Sequence, residues 1–471
     1  MAGIGFELKK LFRRGGLFST VRGVAYASAV TVGPMVSIIA VLLALYSLLD
    51  YLSLSYAQRE MLTGAIMYVF IFSMIVTAPI NAVLSRYVAD KLFDGRKDDI
   101  LASFYLGLAL NLFLGALLAV PFALSAVLGG HVDAVFALAA YCLFVAIVST
   151  FFCMTYVSAL KEYRQIGYAF FFGMATALGV SYGLFRLDVA GTPLAILAGL
   201  AAGFTLIALL LTGQIRAFFR QCNPVYREVW GYFRRYGVLL LCNLFYALGL
   251  YAHNFVFWGS DLGIVISGTF RVAPVYDAAT CYAMFTNISA LVLFVVQVET
   301  RFHEKYQTFC QAVIGGGSDD IRFAKQEMFR SMAREMNYML QFQVLITISV
   351  YVFCLLVLPM LGVAGLTLAI YPTLAVAYLV IYVLYMLVVF MYYLEDYRGA
   401  LYSTATFFAA TVAASLLAAR LLPQEAYGLG VFAGAFAGWT VGYFRLRWLE
   451  RTFDQHIFCR GHLTLLKDLS N

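Results

Sequence analysis

NYMLQFQVLITISVYVFCLLVLPMLGVAGLTLAIYPTLAVAYLVIYVLYMLVVFMYYL, residues 337–394, runs for fifty-eight positions without a charged side chain. As one α-helix it would be about 87 Å long at ~1.5 Å per residue, far more than a hydrocarbon core of roughly 30 Å. It must fold back on itself, and Pro359, Gly362 and Gly365 supply the turn. Residues 337–358 and 366–394 then each suffice for one crossing, which needs about 20 residues. Working outward, ten further charge-free runs obey the same rule: 26–49, 62–85, 100–128, 134–160, 166–185, 189–215, 236–260, 278–298, 399–419 and 426–444. The sequence predicts an all-α integral membrane protein of twelve transmembrane helices.

The distribution of charge orients them. Of the 32 lysines and arginines in 471 residues, twenty-eight fall in alternate gaps between runs, and Arg59, Arg186, Arg271 and Arg420 fall in the others. Positive residues stay on the cytoplasmic side during insertion, so both termini of this multi-pass protein are expected there. A chain that is 63% hydrophobic and 12% charged, with a mean hydropathy of +0.85, lacks the polar surface of a soluble domain. The net charge of +7 sits beside spans rather than on a folded basic face. Anionic lipid headgroups, not nucleic acid, are the partners this implies. The polar opening to Arg22, followed by a run longer than a signal h-region, reads as leading into an uncleaved first helix.

The basic stretch 216–235 divides the spans six and six. The expected organisation is an amphipathic N-terminal segment (1–25), an N-lobe (26–215), a cytoplasmic linker (216–235), a C-lobe (236–447) and a cytoplasmic tail (448–471). Ser85-Arg86-Tyr87 after the second run and Thr300-Arg301-Phe302 after the eighth hint at a parallel repeat. In the long loop 299–336, Gly315-Gly316-Gly317-Ser318 is a break. From Asp319 onward, apolar residues at helical intervals predict an amphipathic helix on the membrane face.

Catalytic sets are missing. No glycine is followed by lysine, which excludes the phosphate loop of ATP-driven pumps. Gly179-Val180-Ser181-Tyr182-Gly183 spells a nucleophile elbow but lies inside a membrane run, and Ser158-Ala159-Leu160-Lys161 lacks its companion motifs. The adjacent acids Asp98-Asp99, Asp319-Asp320 and Glu395-Asp396 read as solvated loop faces. Eight scattered cysteines have no metal or disulfide spacing. We expect no enzyme, cofactor or metal.

Polar residues at membrane depth are the better pointers, because they face cavities or one another. Asn243, His253, Asp261, Arg271, Asp277 and Asn287 cluster around the seventh and eighth spans. His253 reads either as a packed interfacial histidine or as part of a pathway. Asp277 reads either as a helix cap or as a cavity carboxylate, paired to Arg271. Tyr246, Tyr251, Tyr276 and Tyr282 surround this group with rings on which sugars can stack, although belt and packing roles suit them too. Tyr51, Tyr56 and Trp258 fit an interface belt, and Asn81 and Asn111 fit interhelical hydrogen bonding. Gly430, Gly434, Gly438 and Gly442 form a bare ridge for close helix approach, in a tight bundle or a dimer.

Twelve spans in two lobes without a nucleotide motif resemble the multidrug, oligosaccharidyl-lipid and polysaccharide exporter superfamily. The opening Gly3-Ile4-Gly5-Phe6-Glu7-Leu8, Gly33-Pro34 in the first helix and Pro274-Val275-Tyr276-Asp277 at the eighth resemble, more narrowly, the PelG family. These are the inner-membrane transport subunits of bacterial Pel exopolysaccharide secretion. Met35 stands where that family has Trp. The resemblance implies export of a growing N-acetylhexosamine polymer, beside a cytosolic glycosyltransferase and small membrane proteins of the same system. No arginine lies mid-span, which suits a neutral polymer better than a lipid diphosphate. A cation-coupled exporter of small molecules or lipid-linked oligosaccharides is the alternative, and a scaffold that only holds the synthase is a third reading.

Overall fold

Ser55 accepts the amide hydrogen of Gln58, and the Gln58 side chain accepts from the Ser55 amide. This reciprocal cap starts the helix Tyr56–Phe93, around which the bundle is built. The computed structural model describes residues 32–49, 51–160, 163–290, 292, 294, 298–360 and 362–459. They form α1 (Gly33–Leu48), α2 (Tyr56–Phe93), α3 (Ile100–Leu128), α4 (Ala134–Ala159), α5 (Tyr163–Arg186), α6 (Thr192–Phe218) and α7 (Tyr226–Arg235). There follow α8 (Gly237–Trp258), β1 (Ile264–Ile266), β2 (Phe270–Val272), α9 (Pro274–Asn287), α10 (His303–Gly315), α11 (Ser318–Met360), α12 (Leu366–Tyr393), α13 (Tyr397–Leu421) and α14 (Gly428–Asp454). The N-terminal basic segment falls outside the described residues.

Nine described helices are long and apolar enough to cross a membrane. Three predicted spans do not enter that set. The first is seen as the sixteen residues of α1. The eighth is described continuously only over α9, and the twelfth, α14, is diluted by its glycines and terminal arginines. The turn inside 337–394 falls at Gly362 and Gly365, whose φ values of +83° and +66° suit glycine.

Two features depart from the sequence reading. Residues 318–360 are one helix, so the amphipathic segment and the ninth span are continuous. No proline or glycine lies between Asp319 and Leu358 to part them. The fold also contains an antiparallel hairpin, pairing Ile264 with Val272 and Ile266 with Phe270. Its turn residues Ser267 and Gly268 both have positive φ, the geometry of a tight hairpin turn.

The N-terminal helices α2–α6 pack around one another, and α8, α9 and α11–α14 form a second group. In the second group the glycine ridge of α14 is spent inside the chain. A Cβ on Gly434 would lie 2.6 Å from the Thr411 backbone of α13, and one on Gly438 would lie 2.7 Å from Phe407 Cβ. Gly33, by contrast, has nothing within 4 Å of its missing Cβ among the described residues, and Pro34 opens α1, where its lack of an N–H is harmless.

Asp396 ties α12, α13 and α14 together at one end. It caps α13 by accepting the Gly399 N–H at 3.2 Å, and it accepts two hydrogen bonds from Arg445, at 2.6 and 2.9 Å. The guanidinium also lies 4.1 Å over the Trp448 ring. Burial alone would raise the Asp396 carboxyl, but the Arg445 hydrogen bonds and charge outweigh it and hold it below the usual carboxylate range.

Gly434→Val should lower the melting temperature of the purified protein and cut its folded yield, since overpacking costs roughly 1–3 kcal/mol; Gly33→Ala should leave both unchanged. Asp396→Asn should cost roughly 3 kcal/mol by stranding Arg445. Because the folded carboxyl is the more acidic, its stabilisation is full above the unfolded value and is lost as pH falls through the folded one. Melting curves between about pH 5 and pH 3 should therefore fall more steeply for the wild type than for Asp396→Asn.

Candidate functional site

The two helix groups meet along α2 and α8, which run antiparallel. Tyr68 stacks on Trp258 at 4.7 Å, Phe72 on Phe255 at 5.8 Å, and Tyr251 donates to the Met74 sulfur at 2.9 Å. Further along, Arg86 lies 5.7 Å over Tyr236, and Asp90 accepts from Tyr232 at 3.3 Å. The pairing therefore extends from one end of the bundle to the other.

Each end carries its own clasp. At the hairpin end, the Tyr68 hydroxyl donates to the Arg271 carbonyl at 2.7 Å and accepts the Arg271 N–H at 3.2 Å. A Cβ on Gly64 would lie 3.0 Å from Val272, and one on Gly130 would strike the Ser267 carbonyl. At the opposite, basic end, Arg86 reaches Glu395 at 3.0 Å and the Tyr397 hydroxyl at 3.4 Å, while pairing with Asp90 at 3.1 Å. Beside it, buried Lys91 pairs with Asp99 at 3.5 Å and with Glu228 of α7. Arg96 joins the same two acids, at 2.6 and 3.4 Å. Asp99 and Asp396 are thus buried ion-pair partners and not solvated faces; sequence adjacency gave no sign of the cations folded over them.

His253 is fully buried, its Nδ1 2.9 Å from the hydroxyl of the equally buried Tyr276. Asp277 accepts from Asn254 at 2.8 Å, from Trp258 Nε1 at 3.0 Å and from the Ala273 N–H at 2.9 Å. It clasps the end of α8 to the start of α9. Arg271 presents an exposed side chain, and no ion pair joins it to Asp277 among the described residues. Asp261, in the loop before the hairpin, instead accepts from Gln424 and from Tyr427; these bonds, Gln424 first, hold its carboxyl below the usual range.

Asn243 donates to Tyr392 at 3.2 Å, and the Tyr246 ring lies 5.6 Å from that of Tyr385. Asn287 is consumed in joining α9, α11 and α12, donating to the Ala375 carbonyl at 2.9 Å and accepting from Thr347 at 2.7 Å. Asn81 donates across to the Phe151 carbonyl at 3.4 Å, whereas Asn111 donates to Gly107 of its own helix at 2.9 Å. Where α8, α9 and α12 meet, His253 Nε2, Asn254 Oδ1, Thr280 Oγ1 and the Tyr378 hydroxyl are buried with no hydrogen-bond partner among the described residues.

Tyr68 and Trp258 escaped the sequence reading of the site, though together they link the seam to Asp277. The interface-belt reading of Trp258 gives way to a buried ring held against Tyr68 and Asp277, and nothing in Met67-Tyr68-Val69 marks the tyrosine ring as a contact. One face of α2 stays open: Met74, Ser85 and Ala89 are exposed, and Ala78, Asn81 and Ala82 are half-buried. On the other group, Asn243, Tyr246, Asp277, Tyr282, Tyr385 and Tyr392 are also half-buried, and Cys281 is exposed. Among the described residues no cluster of three potential metal ligands occurs.

This arrangement has solved counterparts. A mutant of the Vibrio cholerae MATE transporter VcmN is 13% identical, with a TM-score of 0.65 over 95% of this chain and 98% of that one. An outward-facing multidrug resistance MATE transporter of the MOP superfamily is 12% identical, with a TM-score of 0.61 over 95% and 98%. An inward-facing one is 14% identical, with a TM-score of 0.53 over 87% and 95%. At these identities the likeness is one of fold. None of the curated proteins matches the chain significantly. Residues 1–458 match the family model of the PelG exopolysaccharide exporter, EPS-E. The chain belongs to the PelG family of exopolysaccharide exporters, and it is a multi-pass membrane protein with the fold of MATE transporters.

Proposed function

We propose that this protein carries an N-acetylhexosamine-rich, Pel-type exopolysaccharide across the bacterial inner membrane, between an N-lobe (26–215) and a C-lobe (236–447). The basic end of the bundle and both termini face the cytoplasm, and the hairpin end faces outward. A cytosolic glycosyltransferase feeds the chain in at the basic end, beside small membrane proteins of the same system. No bond is made or broken by the exporter itself.

The observation that carries this reading is the α2–α8 seam. It joins the lobes chiefly along one helix pair and leaves uncovered or half-covered a face of α2 made of Met74, Ala78, Asn81, Ala82, Ser85 and Ala89, while tyrosines of α8 and α12 stay half-buried. No lysine or arginine lies between the level of Tyr68 and Trp258 and that of Arg86 and Tyr236. Neutral sugars present apolar C–H faces to rings and hydroxyls to phenols and carboxamides. Such a surface holds them without an electrostatic trap, and a chain that must keep moving requires weak sites.

The clasps set the energetics of opening. The Arg86 and Glu395 side chains are 33% and 57% exposed, so breaking the pair costs roughly 1 kcal/mol or less. The cytoplasmic side can therefore part while the tyrosine clasp holds the outer side. The rival reading, a cation-coupled exporter, rests on the partly covered carboxyl of Asp277.

Arg86→Glu and Glu395→Arg should each reduce secreted polymer at equal membrane abundance, and the double exchange should restore most of it. Inverted vesicles carrying the protein and its synthase should protect newly made polymer from an added glycosidase. Polymer that stays fully digestible would refute the export reading, and dye uptake driven by a sodium or proton gradient would favour the rival.

A further inference from the structure

A cavity of about 530 Å³ opens at the basic end of the second helix group, between α10, the end of α12 and the segment after α14. Its walls include Tyr306, Phe309, Tyr393, Glu395, Phe453 and His456. None of them was singled out for function by the sequence, and the seam uses only Glu395.

The rings are fixed before anything binds. Phe302, fully buried behind them, stacks on Tyr306 at 6.2 Å and meets the edge of Tyr393 at 5.5 Å. Tyr306 and Tyr393 then stand 5.9 Å apart with their planes at 68°, and both stay half-buried. Phe309 and Phe453 close the floor at 5.6 Å. The polar groups sit on one side. Glu395 has a left-handed backbone, φ +57°, which a non-glycine residue adopts at a cost. That conformation carries its carboxylate to the cavity rim, where it also meets Arg86. His456 Nε2 donates to the Leu394 carbonyl at 3.1 Å and holds the loop beneath. Burial pushes the Tyr306 phenol up, with Cys310, whose sulfur accepts its hydroxyl hydrogen, and then Glu395 adding to the effect, so the ring stays neutral.

We infer that this cavity is a saccharide-binding subsite, which takes one or two neutral N-acetylhexosamine units of the polymer before they reach the seam. Two fixed ring faces meet the apolar faces of a pyranose, and the Glu395 carboxylate at the rim meets its hydroxyl and acetamido edges. A phosphorylated or nucleotide ligand is disfavoured by the Glu395 carboxylate. A partner's apolar helix would leave that carboxylate facing its hydrophobic stripe. Because Glu395 serves both the cavity and the Arg86 clasp, a bound sugar competes for the group that holds the lobes together. The inference rests on the export reading above.

The probe is the pentamer of N-acetylglucosamine, titrated calorimetrically into the full-length protein in detergent. Tyr306→Ala and Tyr393→Ala should each weaken binding by about tenfold, Tyr306→Phe should nearly preserve it, and Tyr306→Trp should tighten it, a gain that misfolding cannot mimic. Wild-type binding that these substitutions leave unchanged would overturn the subsite, as would no binding at all, or displacement by an amphipathic peptide with no response to sugar. The vesicle protection experiment is scored separately, so export with no binding here would refute the subsite alone, and binding with no protection would refute export alone.

Discussion

The pairing of α2 with α8 is the constraint on which the rest depends. Tyr68, Phe72, Met74 and Arg86 each meet a ring of α8 or its cap, in antiparallel order. Aromatic stacking of this kind is worth about 0.5–1.5 kcal/mol per pair beyond area burial. The contacts are graded by position: stacked rings near the hairpin, a thioether and phenol in the middle, charged groups at the basic end. One helix pair therefore joins the groups near the hairpin, in the middle and at the basic end while covering only part of α2.

The buried charge cluster decides which parts move together. Lys91 is 2% exposed and is bracketed by Asp99 and Glu228. Separating those charges would strand a cation away from water, at a cost of several kcal/mol. Through Glu228 and Tyr232, α7 is thus bound to the N-terminal group. The backbone crosses to the second group at Tyr236, whose φ and ψ of −105° and +26° interrupt the helix. The glycine ridge does the same service for α13 and α14, whose backbones approach too closely to slide past one another.

What the sequence disclosed followed from strong, one-dimensional signals. A charge-free run of fifty-eight residues has to turn, and Gly362 and Gly365 do adopt the backbone that turning requires. A four-residue glycine period means close helix approach wherever its partner is, and the partner, α13, was the part that sequence could not name. Asp277 shows the limit more plainly. Its place in the first turn of α9 was legible from Pro274-Val275-Tyr276-Asp277, but its bonds to Asn254 and Trp258 depend on how α8 ends. The hairpin was within reach, since Ile264-Val265-Ile266 and Phe270-Arg271-Val272 alternate about Ser267-Gly268. It was eclipsed by the stronger membrane pattern on either side. His253 and Tyr276 were legible as a cluster, yet their mutual burial is a three-dimensional fact.

The continuity of α11 has a mechanical meaning. Forty-three residues in one helix make a rod of about 65 Å. Its charged half packs on α10 and is tied by Lys325 to Asp454, and in its apolar half, long enough to cross a membrane, Thr347 and Gln343 grip Asn287. A rod transmits tilt as a lever does, by about 1 Å of tip travel per degree over its whole length. A soluble protein pushing on the charged half would be felt among the buried carboxamides without any signal passing through the intervening side chains.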